Sequence, residues 1–116
     1  VAGEIVIRSG EFYDFDAKYL DDSADLVVPA ILEAEIVKEV QTKAVQAFQA
    51  LGCEGFARCD FFVKDSGEVL VNELNTLPGF TSISMFPRMW QATGMSYPQI
   101  VETLIQDALR RGAGLR

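Results

Sequence analysis

Residues 55–84 read GFARCDFFVKDSGEVLVNELNTLPGFTSIS, and this stretch decides the fold. Two runs rich in Val, Phe and Leu flank an Asp-Ser-Gly sequence at residues 65–67, a composition typical of a β-hairpin. If Ser66-Gly67 is the two-residue turn, Asp65 pairs with Glu68. The same register then continues down both strands.

That register places polar side chains opposite one another near the open end of the hairpin. It predicts Asp60 opposite Glu73 and Arg58 opposite Asn75, and the period of two puts Val71 on the face of Glu73 and Asn75. Because like charges directly across a ladder destabilise a sheet, we expect a positive group between the two carboxylates.

These oxygen-bearing side chains predict a site for a hard cation. Asp60, Glu73 and Asn75 offer carboxylate and amide oxygens with no His or Cys partner, and Mg²⁺ needs only one or two carboxylates besides substrate phosphates. A surface hairpin with solvated carboxylates is the alternative, because charged residues are mostly exposed.

Composition narrows the class of protein and its partners. The 116 residues suffice for one compact domain, residues 1–116. The net charge of −7 is concentrated in residues 1–35, and the sequence has no stripe of basic residues that could bind along a nucleic-acid backbone. No apolar run reaches the roughly 20 residues of a membrane helix. We therefore expect a cytoplasmic protein with no nucleic acid or membrane partner, and reduced thiols at Cys53 and Cys59.

The N-terminal third is less regular. Residues 3–8 read as a strand that begins without a turn or cap before it, so we expect the chain to be cut from something larger, with sheet partners that can lie outside the sequence. Residues 11–30 sustain neither helical nor strand periodicity, which predicts a long loop. An ordered lid and a solvent-facing connector are both open for it.

Three amphipathic helices are predicted around the hairpin. The first covers residues 33–51, and the second starts at Ser82 or Ser84 and stops at Gly94. The third has an apolar stripe that begins at Tyr97, and this helix ends in Arg110-Arg111-Gly112, with the two arginines complementing the helix dipole. The fold class is α+β, an antiparallel β-sheet with flanking helices.

Three motifs together resemble one enzyme family. They are Arg-x-Asp at residues 58–60, Glu-x-Asn-Thr-x-Pro-Gly-Phe-Thr-x-x-Ser at 73–84, and Phe-Tyr-Asp-Phe-Asp-Ala-Lys-Tyr at 12–19. In combination they resemble the C-terminal part of the D-alanine–D-alanine ligases, ATP-grasp enzymes of peptidoglycan synthesis. The resemblance extends from Gly3 to the last helix and implies the C-terminal half of an ATP-grasp fold.

The resemblance also implies a reaction and a set of roles. ATP would activate one D-alanine as D-alanyl phosphate, and a second D-alanine would attack it to give the dipeptide. The resemblance implies that Asp60, Glu73 and Asn75 hold two Mg²⁺ (or Mn²⁺) ions, and that Glu73 and Asn75 also contact ATP. It implies that Arg58 lies beside the transferred phosphoryl group, that Gly79 is an oxyanion donor and that Ser84 binds the acceptor carboxylate. Lys18 and Tyr19 would lie on a loop that closes over the phosphates.

The family's N-terminal and central domains would precede Val1, so the chain alone is expected to be inactive, and a homodimer is expected for the whole enzyme. Two alternatives stay open: another ATP-grasp carboxylate–amine ligase, and a non-catalytic binding module on the same fold. The acceptor can be D-alanine, D-lactate or D-serine.

Overall fold

Four short strands and three helices form the part of the chain that the computed structural model describes, residues 1–7 and 24–112. In chain order they are β1 (Glu4–Ile7), β2 (Ala24–Val27), α1 (Ala34–Ala50), β3 (Arg58–Val63), β4 (Val69–Asn75), α2 (Met85–Ala92) and α3 (Tyr97–Arg111). The strands form two antiparallel pairs, β1–β2 and β3–β4. The α+β class predicted from the sequence is therefore confirmed.

The first pair corrects the prediction for the N-terminal third. Strand β2 lies inside the segment predicted to be one long loop, and it pairs with β1 so that Glu4 lies opposite Val27. The first strand thus has a partner within the sequence. At four residues, β2 is too short to show a period-two pattern, and backbone pairing with β1 decides its conformation.

The hairpin β3–β4 has the predicted partners but a different turn. Lys64 N donates to Glu68 O at 3.0 Å and Gly67 N donates to Lys64 O at 2.8 Å, so the loop has three residues, 65–67. The two-residue turn with Asp65 opposite Glu68 is therefore wrong. Gly67 has a φ of +84°, the left-handed conformation that ends a three-residue hairpin loop and favours glycine.

A β-bulge restores the predicted register beyond that turn. Phe61 pairs with Val71, whereas Asp60 pairs with Glu73, so Asn72 is the extra residue on β4. Because the bulge interrupts the alternation of side chains, Val71 shares a face with Phe61. The prediction that Val71 lies on the face of Glu73 was wrong for that reason, although Arg58 does lie opposite Asn75 as predicted.

Helix α1 packs on the hairpin as its amphipathic pattern predicted. Lys43 Nζ donates to Val69 O, and Cys59 Sγ donates to Ala44 O at 3.8 Å. Within the described ranges the buried hydrophobic residues are Val69 in β4, Met85 and Phe86 in α2, and Ile100 in α3. Helix α1 packs against β4 and β3, and α2 packs against α3.

The C-terminal helix is tied to the segment that leads into β3. Arg111 contacts Glu54 at 3.3 Å and Asp107 at 2.9 Å. Hydrogen bonds from Arg110 and Arg111 lower the pKa of Asp107. The two arginines thus make ion pairs in addition to the predicted interaction with the helix dipole. Across the described parts of the chain, every helix is too short or too polar to cross a membrane.

Candidate active site

An arginine and two carboxylates meet on the face of the hairpin turned away from α1. Arg58 donates from Nε to Asp60 Oδ1 at 2.7 Å and from Nη2 to Asp60 Oδ2 at 2.8 Å. Its Nη2 also lies 3.7 Å from Glu73 Oε1. The positive group expected between the carboxylates is therefore the guanidinium of Arg58, which the Arg-x-Asp spacing holds on the same face.

Asn75 closes this group at the end of β4. Its Oδ1 accepts a hydrogen bond from Leu77 N at 2.9 Å, which turns the chain into the segment that follows the hairpin. An amide oxygen has two lone pairs and a carboxylate about four acceptor positions. Asp60 and Asn75 therefore keep acceptor capacity after the hydrogen bonds described above.

The side chains of Asp60, Glu73 and Asn75 are of the kind that suits a hard cation such as Mg²⁺, since all three offer oxygen atoms on one side of the hairpin. Within residues 1–7 and 24–112, groups of three or more His, Cys, Asp or Glu side chains with metal-binding geometry are absent. Asp60 and Glu73 are the two carboxylates of this group, and the amide of Asn75 and substrate oxygens would complete the coordination.

The second part of the candidate site is the 78–84 segment, which runs from Pro78 to Ser84. Thr81 N donates to Ser84 Oγ at 3.1 Å, and the hydroxyls of the same two residues are 2.8 Å apart. A Cβ added at Gly79 would lie 3.0 Å from Ser84 Oγ. Gly79 and Ser84 are thus in close contact, and a side chain at 79 would require the Ser84 hydroxyl to shift by a few tenths of an ångström.

Ser84 stands at the N-cap position of α2, but its hydroxyl does not cap the helix. Its Oγ accepts a hydrogen bond from Thr81 N instead, so the prediction that the Ser84 side chain caps this helix is wrong. The hydroxyl is held beside the 78–84 backbone.

An aromatic cluster joins the two parts of the site. It consists of Phe56, Phe80, Phe86 and Tyr97. Phe56, which precedes β3, lies 6.2 Å from Phe80 and 5.3 Å from Phe86 between ring centroids, and Phe80 lies 5.5 Å from Tyr97. Tyr97 Oη also donates to Phe80 O at 2.6 Å.

Sequence reasoning missed Thr81 and Tyr97. Thr81 lies in a quoted motif, but nothing in its spacing indicates a bond to Ser84. Tyr97 fits the apolar stripe of the last helix, and a hydroxyl contact with a residue 17 positions away leaves no periodic signal.

Other predicted features fall outside the site or outside the described residues. Lys18 and Tyr19 lie outside the described ranges. Cys53 and Cys59 are free thiols as expected, and burial, then the charges of Asp60 and Cys53, raise the pKa of Cys59. A cleft of about 720 Å³ between α2 and α3 is lined by Phe86, Trp90 and Ile100 but by none of the predicted site residues.

Comparison with known proteins identifies the family. The sequence model described as "D-ala D-ala ligase C-terminus" matches residues 1–106. The chain belongs to this family. The family predicted from the motifs is therefore confirmed.

The sequence of this chain is similar to parts of D-alanine–D-alanine ligases from several bacteria. The chain is 57% identical over its full length to a D-alanine–D-alanine ligase of Nocardia farcinica, covering 32% of that protein. It is 54% identical over 94% of its length to the enzyme of Mycobacterium ulcerans, covering 29% of it. The chain thus spans about a third of the length of these relatives.

Solved structures of the same family share the fold. The VanG D-Ala:D-Ser ligase of Enterococcus faecalis superposes with a TM-score of 0.77 at 44% identity, over 90% of this chain and 30% of that one. The D-alanine–D-alanine ligase of Bacillus anthracis complexed with ATP gives 0.70 at 36% identity, over 75% of this chain and 30% of the other. These likenesses confirm the C-terminal half of an ATP-grasp fold.

Proposed function

We propose that the protein to which this chain belongs is an ATP-dependent D-alanine–D-alanine ligase of peptidoglycan precursor synthesis. In this proposal, residues 1–116 form its C-terminal ATP-grasp domain. The observation that carries the proposal is the hairpin face on which Arg58 lies between Asp60 and Glu73, next to a segment that holds Ser84 beside Gly79. This arrangement suits phosphoryl transfer followed by acyl transfer.

In the first half of the reaction, the carboxylate of one D-alanine attacks the γ-phosphorus of ATP, and ADP leaves. The transferred phosphoryl group carries negative charge spread over its three equatorial oxygens, and catalysis consists mainly of positioning the reactants and neutralising this charge. Arg58 is the group suited to this task, because its planar guanidinium binds two oxygens at once and its side chain is only 14% exposed.

Asp60, Glu73 and Asn75 would hold Mg²⁺ or Mn²⁺, which would supply charge neutralisation of the ATP phosphates. The carboxylate of Asp60 is bound by Arg58 in this structure. Cation binding at Asp60 would compete with that ion pair and leave the guanidinium free to contact the phosphoryl group.

In the second half, the amine of another D-alanine attacks the carbonyl carbon of D-alanyl phosphate, and inorganic phosphate leaves. A backbone N–H aimed at the developing oxyanion lowers this barrier, and Gly79 supplies the N–H in our proposal. The hydroxyl of Ser84 holds the acceptor carboxylate, which places the acceptor beside Gly79.

D-Serine is a second candidate acceptor, because the VanG structure is that of a D-Ala:D-Ser ligase.

The loop residues Lys18 and Tyr19 would close over the phosphates. The N-terminal and central domains, a cytoplasmic location and a homodimer also belong to this proposal.

An isotope experiment on the full-length enzyme tests the proposed chemistry. With ATP, Mg²⁺ and D-alanine labelled with ¹⁸O in its carboxylate, we expect the dipeptide and inorganic phosphate that carries one ¹⁸O atom, because the acyl phosphate bond breaks between carbon and the labelled oxygen. Unlabelled phosphate would exclude an acyl phosphate. Faster turnover with D-serine as the acceptor would reassign the second substrate.

A further inference from the structure

We propose that Tyr97 is a positioning residue for acceptor binding, acting through the peptide bond between Phe80 and Thr81. This inference rests on the proposed function, which places Gly79 and Ser84 at the acceptor. The first observation is the hydrogen bond from Tyr97 Oη to Phe80 O, at 2.6 Å.

The carbonyl that Tyr97 binds and the N–H that reaches Ser84 belong to one peptide unit. The C=O of Phe80 and the N–H of Thr81 lie in the same plane, since the peptide bond is planar. Tyr97 Oη donates to one end of this unit, and the other end donates to Ser84 Oγ at 3.1 Å. Fixing the carbonyl therefore fixes the direction of the N–H.

The two hydrogen bonds also reinforce each other. A donor at the carbonyl oxygen polarises the amide and strengthens the bond that its N–H makes. The Tyr97 hydroxyl is thus connected to the Ser84 hydroxyl through a single rigid group. A rotation of that group would therefore disturb the hydrogen bond that holds the Ser84 hydroxyl in place.

Ring contacts hold Phe80 independently of this hydrogen bond. Its ring lies 5.7 Å from that of Phe86 and 5.5 Å from that of Tyr97, in the partly buried aromatic cluster. Tyr97→Phe keeps the ring and removes only the hydroxyl. The variant therefore separates the orientation of the peptide unit from packing of the cluster.

The test uses the full-length enzyme with Tyr97→Phe, and with Thr103→Val as the matched control. Thr103 lies on the same helix, and its hydroxyl donates within that helix to Gln99 O at 2.7 Å. For Tyr97→Phe we expect KM for the acceptor D-alanine to rise roughly fivefold, the equivalent of about 1 kcal/mol, with KM for ATP unchanged. We also expect faster hydrogen exchange of the Thr81 amide. Thr103→Val should change neither.

Each outcome decides the inference. An unchanged Thr81 exchange rate would overturn it, whether or not the enzyme forms a dipeptide. A lower melting temperature with unchanged acceptor KM would also overturn it, because Tyr97 would then only stabilise the start of α3. If the wild-type enzyme forms no dipeptide, the proposed function fails, and the exchange rate alone still decides whether Tyr97 orients this peptide unit.

Discussion

Glu73 is the most exposed of the three charged residues on the hairpin face, with 44% of its side chain accessible against 19% for Asp60. It is therefore the carboxylate best placed to meet a cation brought with ATP. We expect Glu73→Gln in the full-length enzyme to abolish ATP-dependent turnover and to leave the melting temperature within a degree or so, because neutralising an exposed carboxylate has little effect on stability.

Glu68→Gln is the matched control for Glu73→Gln. Glu68 lies in the same hairpin beside the turn, and its carboxylate pairs with Lys64. The control should keep full activity. Normal turnover by a folded Glu73→Gln enzyme would remove Glu73 from the site.

Ser84 allows a prediction that separates binding from stability. Its hydroxyl bonds to Thr81 and does not cap α2, so Ser84→Ala should not show the loss of about 1 kcal/mol expected for a removed cap. If it holds the acceptor carboxylate equally in the ground and transition states, its loss should raise KM for the second D-alanine by roughly tenfold or more with little change in kcat. Steady-state kinetics at varied D-alanine would measure this.

Ser82→Ala removes a neighbouring exposed hydroxyl and should leave KM unchanged. An unchanged acceptor KM in Ser84→Ala, beside a fall in melting temperature, would return Ser84 to a purely structural role.

Among the elements, the hairpin depends on one glycine. Gly67 has a φ of +84°, and a Cβ placed there would lie 3.4 Å from Ile36 Cδ1, so conformation rather than crowding would determine the cost of a side chain. We expect Gly67→Ala to lower the free energy of unfolding by roughly 1–2 kcal/mol. Denaturant titration of the full-length protein would measure it, with Ser66→Ala as the control in the same loop. Equal stability of both variants would contradict the three-residue loop.

The elements also mark how far the sequence could predict this fold. Helix α1 followed from periodicity, and the pairing of Asp60 with Glu73 followed from the register of an assumed two-residue turn. The turn and the bulge did not, because a one-residue change in loop length and a one-residue insertion in β4 cancel in the pattern. Strand β2 was missed because its hydrogen bonds to β1 are non-local and its four residues carry no clear period.

The candidate site was predicted to a similar extent. Residues close in sequence, Arg58 with Asp60 and Glu73 with Asn75, could be placed from strand alternation. The contact of Tyr97 with Phe80 could not, because it depends on how α3 packs against the 78–84 segment. The hydroxyl of Ser84 was assigned to a helix cap or to a ligand, and only its geometry shows that it bonds to Thr81.

In the parts of the chain that the structure describes, many large apolar side chains are exposed to solvent. The exposures include 85% for Ile31, 83% for Leu77, 76% for Ile83 and 61% for Phe62. Phe62 lies on the face of Asp60, Leu77 directly precedes the 78–84 segment, and Ile83 lies within it. Part of this apolar surface therefore lies around the candidate site. The chain corresponds to about a third of its relatives, so other parts of a full-length ligase can cover it.

In our proposal other domains of the enzyme lie outside this chain, so we expect the isolated 116-residue chain to form no dipeptide from ATP and D-alanine. Because its apolar side chains are exposed, we also expect it to melt less cooperatively than the full-length enzyme. Product formation at equal protein concentrations, with calorimetry of both samples, would check this. ATP-dependent dipeptide synthesis by the isolated chain would show that the metal-binding and acceptor residues suffice for the reaction. It would contradict our proposal that the N-terminal and central domains are needed.

The bulge at Asn72 constrains how this hairpin can be exchanged between relatives in chimaeric enzymes. Its extra residue offsets the three-residue loop, so Asp60 meets Glu73 only when both are present or both are replaced together. A graft in which the same loop closes as a two-residue turn, with Asp65 opposite Glu68, while the bulge at Asn72 is kept would put Glu73 out of step with Asp60. Successful exchanges should therefore have their crossover points before Arg58 and after Asn75, so that the hairpin is transferred whole.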